Sequence, residues 1–126
     1  DIVGPIVNGG IGTALLAFAE LMASSGADVT VMYPSDYSET LPITAHIELF
    51  RNKGISFESL FASETGKELS YLVYQWLRKQ DPFDVIHYHD WQGLGYWTAV
   101  AKHQGLAFHD TTLVCQVHGQ TYWHMH

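Results

Sequence analysis

Asp84-Val85-Ile86-His87-Tyr88-His89-Asp90-Trp91-Gln92 is the stretch on which the fold reading turns. Residues 84–88 read as a strand that runs into a polar and aromatic cluster. A helix is expected directly after it, from about Gly93 to Gln104, with Leu94, Trp97 and Ala101 on one side. Upstream, Thr65 opens another helix and Glu68, three residues on, completes a capping box. Leu69, Leu72, Val73, Trp76 and Leu77 mark the core stripe of that helix, and Asp81-Pro82 ends it. Downstream, Thr111 to Val117 reads as a buried strand.

The alternation extends to the N-terminus. Gly9, Gly10 and Gly12 form a loop, followed by a helix to about Ser25 with Ile11, Leu15, Phe18 and Met22 on one face. Gly26 stands at its C-cap, and Asp28 to Tyr33 is a strand that Pro34 ends. A helix from about Ile43 to Lys53 stops at Gly54, and Ile55 to Leu60 is another strand. Strand and helix in strict alternation predict a parallel sheet covered on both faces. Right-handed crossovers make it a doubly wound, Rossmann-like α/β domain of four parallel strands. A glycine loop that opens a helix ordinarily follows a strand. Only residues 1–7 precede this one, so the first strand is expected upstream of Asp1.

The 126 residues suit one domain, and 47% apolar residues supply a core. Charged residues are scarce at 15%, against about 25% in ordinary soluble domains, which suggests surface covered by another lobe. Thirteen acidic residues against six basic ones give a net charge of −7, which argues against nucleic acid or an anionic membrane as the main partner. Cys115 is the only cysteine, so no internal disulfide forms, and a reducing, cytoplasmic location is the simpler reading. No apolar run approaches the ~18 residues of a membrane span. The chain opens on Asp1 and stops at His126 after an aromatic run, and both ends read as boundaries within a longer protein.

Ligands of such sheets sit beyond the C-terminal strand ends. Three clusters fall there: Asn8-Gly9-Gly10-Ile11-Gly12-Thr13, then residues 87–92, then His118-Gly119-Gln120-Thr121. The glycine pair lets backbone approach a ligand, and helix-start amides hold phosphate; a plain tight turn is the alternative. Leu15 stands where a third dinucleotide-binding glycine belongs, and no phosphate-loop motif is present. His87 and His89 share one side of their strand. They have no matching Cys or carboxylate set at ligand spacing, so one buried histidine and one reaching the crevice is preferred over a metal pair. Asp90 either caps the next helix or touches substrate, and Trp91 is either core or a stacking platform. His118 either faces the crevice or bonds backbone at a strand end. Clustering of Gly9, His89 and His118 at one sheet edge is expected from the strand-helix order.

Together the three clusters resemble the N-terminal lobe of starch and glycogen synthases, glycosyltransferases of the GT-B fold. That group has Lys-x-Gly-Gly-Leu, His-Asp-Trp-His after an Asp-Val-Ile/Leu-His strand, and Thr-x-His-Asn; here stand Val7-Asn8-Gly9-Gly10-Ile11, residues 84–92, and Gln116-Val117-His118-Gly119. The resemblance spans nearly the whole chain. It implies retaining transfer of a hexosyl group from a nucleotide-sugar donor to a sugar acceptor, with no metal or other cofactor. It implies that Asn8, Gly9 and Gly10 approach donor phosphates or acceptor, that His118 bonds the reacting sugar with Gly119 beside it, and that His89, Asp90, Trp91 and Gln92 shape the acceptor side. The donor-binding C-terminal lobe is outside these 126 residues, so this lobe alone is expected to be inactive. Val7, Gln92, Gln116 and Gly119 depart from the group's Lys, His, Thr and Asn, which places the chain among broader relatives. Two other readings compete: a redox nucleotide-binding module, disfavoured by the incomplete glycine fingerprint and by Tyr33-Pro34 where an acidic residue belongs, and a non-catalytic carbohydrate-binding module.

Overall fold

Alternating strands and helices fill the residues that the computed structural model describes, which are 2–3, 6–7, 10–35 and 43–118. The chain divides into two units, Asp1–Phe61 and Ala62–His126.

In the first unit, β1 (Ile2–Val3) and β2 (Ile6–Val7) pair antiparallel, with Ile2 opposite Val7. Two short strands thus precede the glycine loop, where the sequence reading assigned no element. Then come α1 (Gly10–Ser24), β3 (Val29–Ser35), α2 (Ile43–Arg51) and β4 (Ile55–Phe61). β3 and β4 run parallel, from Val29 opposite Ile55 to Ser35 opposite Phe61. Parallel neighbours need a crossover, and the segment carrying α2 supplies it. Both expected helix stops are real: Gly26 has φ 91° and Gly54 φ 73°, a region closed to most side chains. Pro34 does not end its strand, which continues to Ser35. Proline is tolerated near the end of a strand whose described ladder partner lies on one side only.

Along β4, Ile55 and Phe57 are buried while Ser56 and Glu58 are exposed, the alternation of a strand with one dry face. Ala19, Val31, Phe50, Ile55 and Phe57 form the core there. The rings of Phe50 and Phe57 stack with centroids 4.9 Å apart. The buried face of α1 differs from the expected one. Leu15, Leu16, Ala19 and Ala23 meet the core, whereas Phe18 and Met22 are each 37% exposed. A helix apolar around most of its girth does not specify its own inward stripe, and the small Ala19 lets the backbone approach closely.

The second unit holds α3 (Gly66–Leu77), β5 (Val85–His89), a 3-10 turn at Trp91–Gly93, α4 (Tyr96–His103) and β6 (Thr112–Gln116). β5 and β6 are parallel, with Val85 opposite Thr112 and His89 opposite Gln116. On α3 the stripe is buried at Leu69, Val73 and Leu77 and half-buried at Leu72 and Trp76. Thr65 does take the extended N-cap conformation, but its side chain makes no capping bond, so the expected box does not form. The helix expected from about Gly93 to Gln104 is present but begins later, at Tyr96, because Gln92 and Gly93 have φ of 56° and 64° and turn the chain ahead of it.

Ser70 fastens these helices. It is fully buried, donates to the carbonyl of Leu94 at 2.9 Å and accepts from the Trp97 amide at 3.2 Å. The indole of Trp97 donates to Lys67 O at 3.1 Å and meets Tyr71 edge-on. Gly95 is buried under Tyr88: a Cβ there would lie 2.0 Å from the phenol ring. The strand expected to be buried, β6, is open instead. Cys115 is exposed, Val114 is 38% exposed, and Val117 just beyond it 57%. An apolar run does not itself say which of its faces is covered.

The chain is thus α/β and Rossmann-like, built on parallel pairs. The expected four strands appear as one parallel pair in each unit. Among the described residues, no helix is long and apolar enough to cross a membrane.

Candidate functional site

The C-terminal ends of β5 and β6 carry the chemistry. Parallel pairing brings His89 level with Gln116 and lets the two chains leave the ladder side by side. Two further bonds hold them together past its end. The Asp90 amide donates to Gln116 O at 3.1 Å, and the His118 amide donates to Asp90 Oδ1 at 3.2 Å. Asp90 therefore does not cap the following turn, one of its two expected roles. Its carboxylate ties down the backbone of His118 instead.

That tie sets two imidazoles against each other. His89 Nδ1 lies 2.5 Å from His118 Nε2, and the rings are 4.5 Å apart between centroids. At that distance one nitrogen carries a proton and the other a lone pair. His87 follows on the same strand face, its ring 5.9 Å from that of His89, as the two-residue spacing requires. His89 is only 9% exposed and His87 is half-buried, so neither member of that pair is the exposed histidine that one of them was expected to be; the exposed ring is that of His118. Burial holds the His89 imidazole below its ordinary value, and the neighbouring His118 and His87 push the same way; the Asp90 carboxylate opposes them in part. His89 is therefore neutral at pH 7. On β5, burial raises the Tyr88 phenol, with a smaller push from Cys115 opposite it.

The remaining predicted site residues fall differently. Gly10 opens α1 in the other unit. Trp91 begins the 3-10 turn, and Gln92 is exposed in the left-handed region. Asn8, Gly9 and Gly119 lie outside the described residues, and with Gly9 so does the expected clustering of the glycine loop with His89 and His118. Among the described residues, no three His, Cys, Asp or Glu side chains converge as a metal-holding group. Two features were not anticipated from the sequence. The Asp90–His118 link joins residues too distant in sequence for any motif to pair them. The Tyr88–Gly95 contact had one sequence signal, the second glycine two residues after Gly93, which stands at the N-cap of α4.

No match was found among curated proteins or among solved structures. The model of one family, described as Glycosyltransferase Family 4, does match, over residues 8–126. That span contains the glycine loop, all four strands of the parallel pairs and both imidazoles of the hydrogen-bonded pair. The chain belongs to glycosyltransferase family 4.

Proposed function

We propose that this chain is the acceptor-side lobe of a retaining glycosyltransferase, akin to the starch and glycogen synthase group, that moves a hexosyl unit from a nucleotide sugar to a carbohydrate acceptor in the cytoplasm. The observation that carries the proposal is the His89–His118 pair, held by Asp90 at the ends of two parallel strands in a family-4 chain. Strand ends are where such folds place ligands. An exposed histidine whose ring is held by one bond and whose backbone is held by another is a preorganised polar group, the kind that stabilises charge developing on a reacting sugar.

In this reading His118 hydrogen-bonds the sugar being transferred. His89, Asp90, Trp91 and Gln92 form the acceptor side, and Gly119 lies beside the reacting centre. Asn8, Gly9 and Gly10 approach the donor phosphates, where the start of α1 offers amides to an anion. No metal is required, because backbone dipoles and positive groups of a second, nucleotide-binding lobe neutralise the leaving diphosphate. That lobe is needed for turnover, so these 126 residues alone bind weakly and do not catalyse.

The test is turnover of nucleotide sugars by the protein joined to its donor-binding lobe. His118→Ala should lower kcat about ten- to a thousand-fold, with little change in nucleotide affinity. Unchanged kcat and kcat/KM in that variant would leave His118 as a strand-end histidine bonded for structural reasons. Sugar binding without any transfer would favour a non-catalytic module.

A further inference from the structure

We propose that His89 is a positioning residue whose Nδ1–H donates to His118 Nε2, fixing His118 as the tautomer protonated on Nδ1. Its catalytic consequence rests on the glycosyltransferase reading above, but the tautomer assignment does not.

The argument starts at the other end of the His89 ring. Its Nε2 is buried and has no hydrogen-bond partner among the described residues. Two neutral arrangements satisfy the 2.5 Å contact. If His118 Nε2–H were the donor, His89 Nδ1 would be the acceptor and the His89 proton would sit on Nε2, as an N–H buried with nothing to accept it. If His89 Nδ1–H is the donor, Nε2 keeps only a lone pair. Orphaned buried N–H groups are rarer in proteins than under-used acceptors, because a dry donor forfeits its whole bond. A third arrangement, with both rings charged, places two cations in contact. It is opposed by the burial of His89 and by His87 on the same face; only Asp90 favours it. The dry nitrogen of His89 thus selects the tautomer of a residue 29 positions away.

The consequence is specific. With Nε2 occupied, the proton left on His118 is at Nδ1, and the ring is a hydrogen-bond donor toward a ligand rather than a base. An oxygen-rich ligand, such as a sugar hydroxyl or a phosphate, suits such a donor. Asp90 plays a separate part, holding the His118 backbone while His89 orients the ring.

Long-range proton–nitrogen NMR on this chain tests the assignment directly. Nδ1 of both His89 and His118 should carry protons, and both Nε2 atoms should show the shift of an unprotonated nitrogen. In His89→Phe, which keeps a ring but no donor, His118 should move toward the Nε2–H form that free histidine prefers. His89→Asn puts an amide N–H near the former Nδ1 and should restore the wild-type form. A His118 Nε2–H in the wild-type chain overturns the proposal, even if the variants fold poorly, and so does a tautomer indifferent to His89→Phe in a folded variant.

A second arm uses the protein joined to its donor lobe. His89→Phe should lower kcat roughly ten-fold and shift the acid limb of the pH–rate profile, with KM for the nucleotide sugar unchanged. His89→Asn should recover most of the loss. Loss in kcat and KM together, without a pH shift or rescue by Asn, would mean that His89 is merely structural. If instead His118→Ala left turnover unchanged, the glycosyltransferase role of His118 would fall while the NMR result stood.

Discussion

The two units each contain a parallel strand pair, yet they are held by different physics. β3 and β4 are closed by an apolar cluster in which Phe50, Phe57, Ile55, Val31 and Ala19 are nearly dry. β5 and β6 leave Val85, Val114 and Cys115 exposed and are joined beyond the ladder by polar bonds among His89, Asp90, Gln116 and His118. The helices repeat the contrast. α1 and α2 meet their strands through aliphatic and aromatic carbon, whereas α3, besides burying Leu69, Val73 and Leu77, is fastened to the start of α4 by the hydroxyl of Ser70. Apolar packing is tolerant of small shifts, but hydrogen bonds are directional and fix the positions of individual atoms. The unit whose strands are joined past the ladder by directional bonds is the one that carries the candidate site.

The contrast can be broken most severely at Phe57. Phe57→Ala removes a ring stacked on Phe50 and leaves a cavity, and should cost about 3–5 kcal/mol in chemical denaturation. The His89–His118 NMR signature should persist at low denaturant if the second unit keeps its own contacts. Loss of that signature together with the first unit would show that the two polar and apolar halves fold as one cooperative block.

A smaller effect is expected at Gly95. Gly95→Ala sets a Cβ into the Tyr88 ring, and overpacking of this kind costs about 1–3 kcal/mol, read as a lowered melting temperature. The companion change Tyr88→Ala should relieve the clash, so the double variant should be more stable than the sum of the single changes predicts. Strict additivity would mean that β5 and the start of α4 are not packed as described.

The smallest effect is a pH dependence, and its sign follows from His89. Its folded value lies below the ordinary 6.5, so the unfolded chain binds the proton more readily. The stabilising preference for the neutral ring is fully present above 6.5 and is lost as pH falls from there through the lower folded value. Acidification over this range should therefore destabilise the protein, and His89→Phe should flatten that part of the profile. A wild-type profile that rises toward acid and loses this rise in His89→Phe would sink the assignment.

Much of this was legible in the sequence because it is local. The periodicities of residues 66–77 and 55–61, the stops at Gly26 and Gly54, and the strand carrying His87 and His89 depend on neighbours only a few residues away. The same is true of the family resemblance, since its motifs are short runs read in order. Failures occurred where the answer depended on distant residues. Nothing in α1 says that Ala19 rather than Phe18 faces the core, since that is set by Val31 and Ile55 arriving from elsewhere. Nothing near Asp90 says that it holds His118 rather than the next turn.

The sequence by itself determined the α/β alternation, the parallel pairing and the three clusters that mark a glycosyltransferase lobe, because hydrophobic period and turn chemistry act over a few residues. Only the tertiary structure decided that His89 is the buried partner and His118 the reachable one, and that their ring nitrogens lie within hydrogen-bonding distance. Burial and hydrogen-bond partnership are properties of space, fixed when two strands distant in sequence are brought side by side, and no reading along the chain contains them.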